Sequence, residues 1–266
     1  MDFTGPLRKM FTVYSNPINY TLDIGDDLLA MNQLIGREIQ FSYSGEILCV
    51  CGKKINKGFG NNYCYQCFTT RPECGPSIFN PEKSTAHLGI AERDLEWEKK
   101  NQLQPHLVYL ANSAGLKVGV TRMQQMLTRW ADQGASFGIP FLEVPNRYLA
   151  GVAEVALKNH IADKTPWQRM VKGEVPEVDL LAEKKRLEDF IPDDLKQYLS
   201  TDNEVRHLEY PVEGYPEKAK SVNLSKAPDF KGTLMGIKGQ YLLFKEGFVF
   251  NVRSHDGYIT KISVSQ

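Results

Sequence analysis

The alternation of apolar and polar positions divides the chain into four stretches. Up to Leu48, the runs MFTVY, NYTLDI, REIQFSY and EILCV carry β-branched and aromatic residues between turn signals such as SNP and SG, which predicts short strands. From Cys49 to Gln102 no period persists, and glycines, three prolines and all five cysteines make the stretch loop-rich. From Leu103 to Lys172, the runs LVYLA and LKVGV flank NSAG, a hairpin signal. Met123, Met126, Leu127 and Trp130 then share one helical face, with Gly134 as its stop. GIPFLEV reads as a third strand, and Leu149, Val152, Ala153, Ala156 and Leu157 recur at helical spacing in RYLAGVAEVALKNHIAD. The predicted order is strand, strand, helix, strand, helix.

The last stretch opens with VDLLAEKKRLEDFIPDDLKQYL, an acidic segment read as helical, with Leu180, Leu181, Leu187 and Phe190 on a partial apolar face. TLMGIK, QYLLF, FVFNVR and YITKISV follow between glycine turns, a meander expected to form a small sheet or half-barrel. The class is α+β, with segments at 1–48, 49–102, 103–172 and 173–266.

Composition narrows the function classes. With 266 residues, 42% of them hydrophobic, the chain can bury a core without disulfides. No apolar run follows a basic start, and none has membrane-spanning length, so the expectation is a cytoplasmic protein. Zero net charge argues against a surface coated with basic residues. The charge is uneven, however. Residues 106–172 hold eight Lys or Arg against four Asp or Glu, and residues 174–217 hold five against thirteen. That asymmetry is compatible with a local basic face and a separate acidic segment, a possible protein-docking surface.

The cysteines carry the sharpest signal. Cys49-Val-Cys51-Gly and Cys64-Tyr-Gln-Cys67 are two close pairs separated by a loop. Four thiolates in that arrangement suit a structural zinc ion, with Cys74 or His87 as alternates for one of the first pair. Gly52 suits a knuckle turn. Lys53, Lys54 and Lys57 would offset the negative charge of the centre and offer contacts to nucleic acid. Unliganded buried cysteines are the competing reading. A redox CxxC is disfavoured because no βαβ pattern surrounds it.

The stretch HLVYLANSAGLKVGVTRMQQMLTRWADQGA resembles the opening of a GIY-YIG nuclease-type domain, which implies a small mixed domain over 103–172. Val108-Tyr109-Leu110 stands at the first motif and Lys117-Val118-Gly119 at the second, with lysine in place of the second tyrosine. Thr121, Arg129 and Glu154 fit the hydroxyl, the helix arginine and the metal-binding glutamate. No counterpart of the family's closing asparagine is found. Over most of its length the chain is also similar to an uncharacterised prokaryotic family of unknown function, through YCYQCF, HLVYLANSAGLKVGVTR, TRWADQGA and VPNRYLAGVAE.

The chemistry implied is metal-dependent phosphodiester cleavage. Glu154 would hold Mg²⁺ or Mn²⁺, Arg129 would neutralise the phosphate, and Tyr109 or Lys117 would orient or deprotonate water. Arg122 and Arg147 join the zinc-loop lysines as candidate nucleic-acid contacts. Against this stand blander readings: Glu154 paired with Arg129 in a structural ion pair, Tyr109 as core, and Trp130 and Trp167 as packing. His106 and His160 are not read as ligands. Two rival functions are a catalytically degenerate nucleic-acid binder and a protein-interaction scaffold.

Overall fold

The structure, a computed structural model, describes residues 1–161 and 166–265. Both chain ends are strand-rich, as their alternating patterns require. Before the cysteines lie β1 (Asp2–Pro6), β2 (Phe11–Val13), β3 (Asn19–Ile24), β4 (Asp27–Ala30) and β5 (Glu38–Leu48). The cysteine-bearing stretch holds β6 (Lys54–Ile55), α1 (Tyr65–Thr70), α2 (Pro76–Phe79) and α3 (Leu95–Gln102). The middle follows the expected order: β7 (His106–Asn112), β8 (Leu116–Arg122), α4 (Met126–Asp132), β9 (Phe137–Val144) and α5 (Arg147–Leu157). The helix expected to run to Asp163 ends sooner, and Ala162 and Asp163 lie outside the described residues. The remainder comprises α6 (Trp167–Val171), α7 (Leu180–Leu187), β10 (Arg206–His207), β11 (Lys220–Val222), β12 (Asp229–Lys238), β13 (Tyr241–Phe244), β14 (Phe248–Asn251) and β15 (Tyr258–Val264).

Three expectations need correction. REIQFSY and EILCV are one strand, β5, because Gly45 takes a positive φ of 89° and lets the chain pass a local kink without breaking the pairing. The acidic stretch is not one helix: α7 stops at Leu187, two 3₁₀ turns follow, and Pro192 separates them. Nor is the C-terminal meander a sheet of its own. β5 is flanked by β12 and β15, and the order β1-β15-β5-β12-β13-β14-β11, with β6 paired to β5, joins both ends of the chain in one sheet. β2, β3 and β4 form a separate three-stranded sheet.

The middle elements make a third sheet, ordered β10-β9-β7-β8. Every residue of β7 is buried, which is why LVYLA within it reads as a continuous apolar run. The period of two then sorts its side chains. Leu107, Tyr109 and Ala111 join Trp130 and the aromatic core of the large sheet. Val108 and Leu110 face the opposite way, into a cluster with Ala150, Ala153 and Leu157 of α5 and Leu187 of α7. The middle sheet is thus a layer between the large sheet's core and two helices.

Polar latches fix the large sheet's corner against α4. The Gln240 side chain exchanges hydrogen bonds with the Met10 backbone (2.9 and 3.1 Å) and donates to Asp132 (2.8 Å). Asp132 also accepts from Thr12 (2.9 Å) and pairs with Lys9. Asn251 and the residues after it, at the end of β14, are thereby held beside the middle sheet. None of the described helices is long and apolar enough to cross a membrane.

Candidate functional site

Two assemblies of reactive side chains stand out. The first is the cysteine cluster. Cys49 ends the pairing of β5, and Gly52 turns the chain with φ of 84° while its N–H donates to the Cys49 carbonyl (2.9 Å). Cys64 caps α1, its sulfur accepting from the Cys67 N–H (3.5 Å), and the Cys64 N–H donates to the Cys49 sulfur (3.2 Å). The four sulfur atoms of Cys49, Cys51, Cys64 and Cys67 all lie within 4.8 Å of one another, with Cys51 and Cys64 3.8 Å apart. A tetrahedral ion bound at about 2.3 Å sets its sulfurs about 3.8 Å apart, so the cluster has the size to hold a structural metal ion.

The thiols of the cluster differ in acidity. Burial, then hydrogen bonds with the neighbouring cysteines, pushes the Cys67 thiol up. At Cys49, burial opposes ionisation, but N–H groups of Cys64 and Cys51 outweigh it and draw the thiol down. Among the described residues, Ile55 and Tyr63 are the apolar side chains packed on the cluster, too little to hold this loop by itself. The alternates lie elsewhere: Cys74 is buried outside the cluster, and His87 stacks on Tyr148 with ring centroids 4.2 Å apart. Lys53, Lys54 and Lys57 are exposed, and Lys54 pairs with Glu46 (2.8 Å).

The second assembly is a cleft of about 450 Å³ that collects Lys117, Arg129, Arg147, Glu154 and Arg253. Strand register explains half of it. Tyr109 on β7 lies directly opposite Gly119 on β8. A Cβ on residue 119 would come within 2.5 Å of the Tyr109 hydroxyl, so only glycine lets the phenol lie across β8. Tyr109 is itself fully enclosed. Its hydroxyl reaches the cleft wall through Gln133, whose amide nitrogen donates to it (2.7 Å) while the amide oxygen accepts from Arg129 Nη2 (2.9 Å) and Nε (3.1 Å). Arg129 and Gln133 stand four residues apart at the end of α4, one helical turn.

Helix α5 supplies the other half. Arg147 at its start donates to the carbonyls of Ser77 (2.9 Å) and Ile78 (2.8 Å), tying α2 to the cleft rim. Gly151 admits the chain at Pro81 and Glu82, where a Cβ would sit 2.1 Å from the Glu82 nitrogen. One turn beyond Ala150, Glu154 is half-buried, and its carboxylate makes no hydrogen bond or ion pair with the described residues. Burial raises its pKa, and Glu82 adds to the shift against the pull of Lys158, Arg147 and Arg129. Lys117, also without an ion pair among the described residues, is drawn down to about 8 by burial and then by the Arg129 charge. Asp132 lines the cleft too, but Lys9, Thr12 and Gln240 already satisfy it.

The sequence-predicted residues Lys117, Arg129, Arg147 and Glu154 therefore meet in one space. Thr121 and Arg122 line an adjoining cavity of about 350 Å³. The competing reading, an ion pair between Arg129 and Glu154, does not hold: Arg129 is held by Gln133 instead. Sequence reasoning missed Gln133, although its position four residues after Arg129 was a usable signal. It also missed Arg253, an exposed cation that ends FVFNVR and reaches the cleft from the large sheet. Trp130 is core, and Trp167 lines the cleft. Set against known families, a profile described as Protein of unknown function (DUF2797) matches residues 36–260. No curated protein and no solved structure matches the chain.

Proposed function

We propose that this chain, which belongs to the DUF2797 family of proteins of unknown function, is a zinc-stabilised phosphodiesterase acting on nucleic acid through a GIY-YIG-like cleft. The observation that supports it is the charge pattern of that cleft. Lys117, Arg129, Arg147 and Arg253 converge on a space whose only free carboxylate among the described residues is Glu154. Cations held together without counter-charges repel one another, and a bound phosphate would relieve that repulsion.

The roles follow from chemistry. Arg129, oriented by Gln133, presents a planar fork to two phosphate oxygens. Lys117, with a pKa near 8, is partly neutral at physiological pH and takes a proton from the attacking water. The water oxygen bonds to phosphorus, and the bond from phosphorus to the leaving oxygen breaks, with solvent returning a proton to that oxygen. Tyr109 does not touch the substrate; it positions Gln133 and, through it, Arg129. Glu154 is an unpartnered, half-buried carboxylate suited to Mg²⁺ or Mn²⁺, which commonly take one or two protein carboxylates and complete their shells with water and phosphate oxygens. Such an ion would polarise the phosphate and stabilise the leaving oxygen. The four cysteines would hold zinc, which is structural because all four positions are taken by protein.

The test is cleavage of single-stranded, duplex and branched DNA and of structured RNA in Mg²⁺ and Mn²⁺. Glu154→Gln and Arg129→Ala should each lower the rate by roughly 10²–10⁴-fold while zinc content stays unchanged. No cutting by the wild type would sink the reading in favour of a non-cutting binder, and cutting that survives both substitutions would move the chemistry out of this cleft.

A further inference from the structure

The cleft does not end at Glu154. The adjoining cavity of about 350 Å³ shares Phe79, Arg129, Arg147 and Arg253 with it, and a third, of about 270 Å³, shares Arg122, Arg129 and Arg253 with the second. No Asp or Glu among the described residues lines the second cavity. Arg122 is oriented by neutral partners, Asn101 (3.1 Å) and Gln125 (3.1 Å), which fix its direction and leave its charge free. In a chain of zero net charge, this is a local concentration of positive charge along a connected path.

Aromatic surface accompanies it. Phe79 is 63% exposed, so its ring face is open to contact from solvent. Trp97, half-buried on α3, lines the same cavity. Arg147 pins the helix that carries Phe79, so the ring is held in place at the rim. His106 adds a polar handle. Its Nδ1 donates to the Gln104 carbonyl (2.7 Å), which leaves the Nε2 lone pair facing out of that bond, buried and without a partner. Burial keeps the ring neutral, with its pKa drawn down to about 4.

We propose that these connected cavities form a track for a single-stranded polynucleotide, its phosphates on Arg122, Arg129 and Arg253 and its bases against Phe79 and Trp97. A duplex hides the faces of its bases, whereas a single strand presents them to aromatic side chains. The assignment of chemistry at the cleft rests on the phosphodiesterase reading; the track rests on its own charge and aromatic surface.

The experiment is fluorescence anisotropy with labelled oligothymidylate and oligouridylate, a duplex of equal length, and a nucleoside triphosphate as competitor. It uses the full chain carrying Glu154→Gln so that the probes stay intact, between about 50 and about 300 mM salt. The single strands should bind at least about tenfold more tightly than the duplex. Adding Arg122→Gln and Arg253→Gln together should lower the slope of log K against log salt by about 1.4, two phosphates at about 0.7 each. Adding Phe79→Ala should weaken single-strand binding by roughly fivefold or more and leave the duplex unaffected. Equal affinity for duplex and single strand, full competition by the triphosphate, or an unchanged salt slope would each overturn the track. Single strands bound with these signatures but left uncut by the wild type would overturn the phosphodiesterase reading alone; duplex cut while single strands stay unbound would overturn the track alone.

Discussion

The cysteine cluster and the basic cleft are opposite solutions to the placing of reactive groups. The cluster gathers four sulfurs from residues 49 to 67 within 4.8 Å, and a single metal ion would satisfy all of them. The cleft gathers Lys117, Arg129, Arg147, Glu154 and Arg253 from three elements and the loop after β14, and leaves most of their charges unpaired. A closed cluster puts its interactions into holding the chain. An open cleft keeps its polar groups available to something that arrives from solvent, and the surrounding fold must hold them there.

The largest expected effect tests the closed side. Cys64→Ser with Cys67→Ser should remove close to one equivalent of bound metal by elemental analysis. Structural zinc contributes on the order of 10 kcal/mol in small metal-stabilised modules, and among the described residues the cluster's apolar support is Ile55 and Tyr63. Proteolysis should therefore open the segment 49–102 while the middle sheet, with its two buried faces, stays protected. Retention of metal, or equal protection of both regions, would break the contrast.

A smaller effect tests how the open side is supported. Gly119→Ala should force the Tyr109 ring to move, because the added carbon would lie 2.5 Å from its hydroxyl and ring. The site is tightly packed, so a cost of about 1–3 kcal/mol is expected, a fall in Tm of several degrees. The displacement passes from Tyr109 through Gln133 to Arg129, so phosphate binding should weaken while the metal content of the cysteine cluster stays the same. An unchanged Tm and affinity would show that the phenol is not seated against residue 119.

This contrast also governs how much was legible in the sequence. Cys49, Cys51, Cys64 and Cys67 are close in the chain, so their spacing alone indicated a shared site. The order of β7, β8, α4, β9 and α5 followed from local periodicity, whereas the grouping of Lys117 with Arg129 and Glu154 was implied by the GIY-YIG resemblance; one sheet and its helices carry all three to one cleft. Arg253 was not legible. It reaches the cleft because β12 and β15 clamp β5 and because Gln240 latches their sheet to Asp132 on α4. No local pattern encodes a pairing across some two hundred residues. The same reason hid the union of the two strand-rich ends. β1 and β4 were missed more simply: DFTGP holds a glycine and a proline, and DLLA is four residues long, too short for a period to show.

The smallest expected effect concerns the one cleft residue that departs from the tyrosine of the GIY-YIG pattern. Lys117 acts as a base only when neutral. Burial, followed by the Arg129 charge, lowers its pKa from 10.5 to about 8. The neutral fraction therefore grows as pH rises, and the rate should climb about tenfold per unit below pH 8 and level off above it. Glu154 works in the same direction: its raised pKa means that acid also protonates the carboxylate, which steepens the loss at low pH. Lys117→Gln should abolish the limb near pH 8 and leave only the acid limb of Glu154 on any residual activity. Arg129→Lys keeps the neighbouring positive charge, so the limb should stay near 8 in that variant. Arg129→Gln removes the charge and should move the limb to higher pH. A limb that does not move when the charge is removed, or that survives Lys117→Gln, would assign the base to another group.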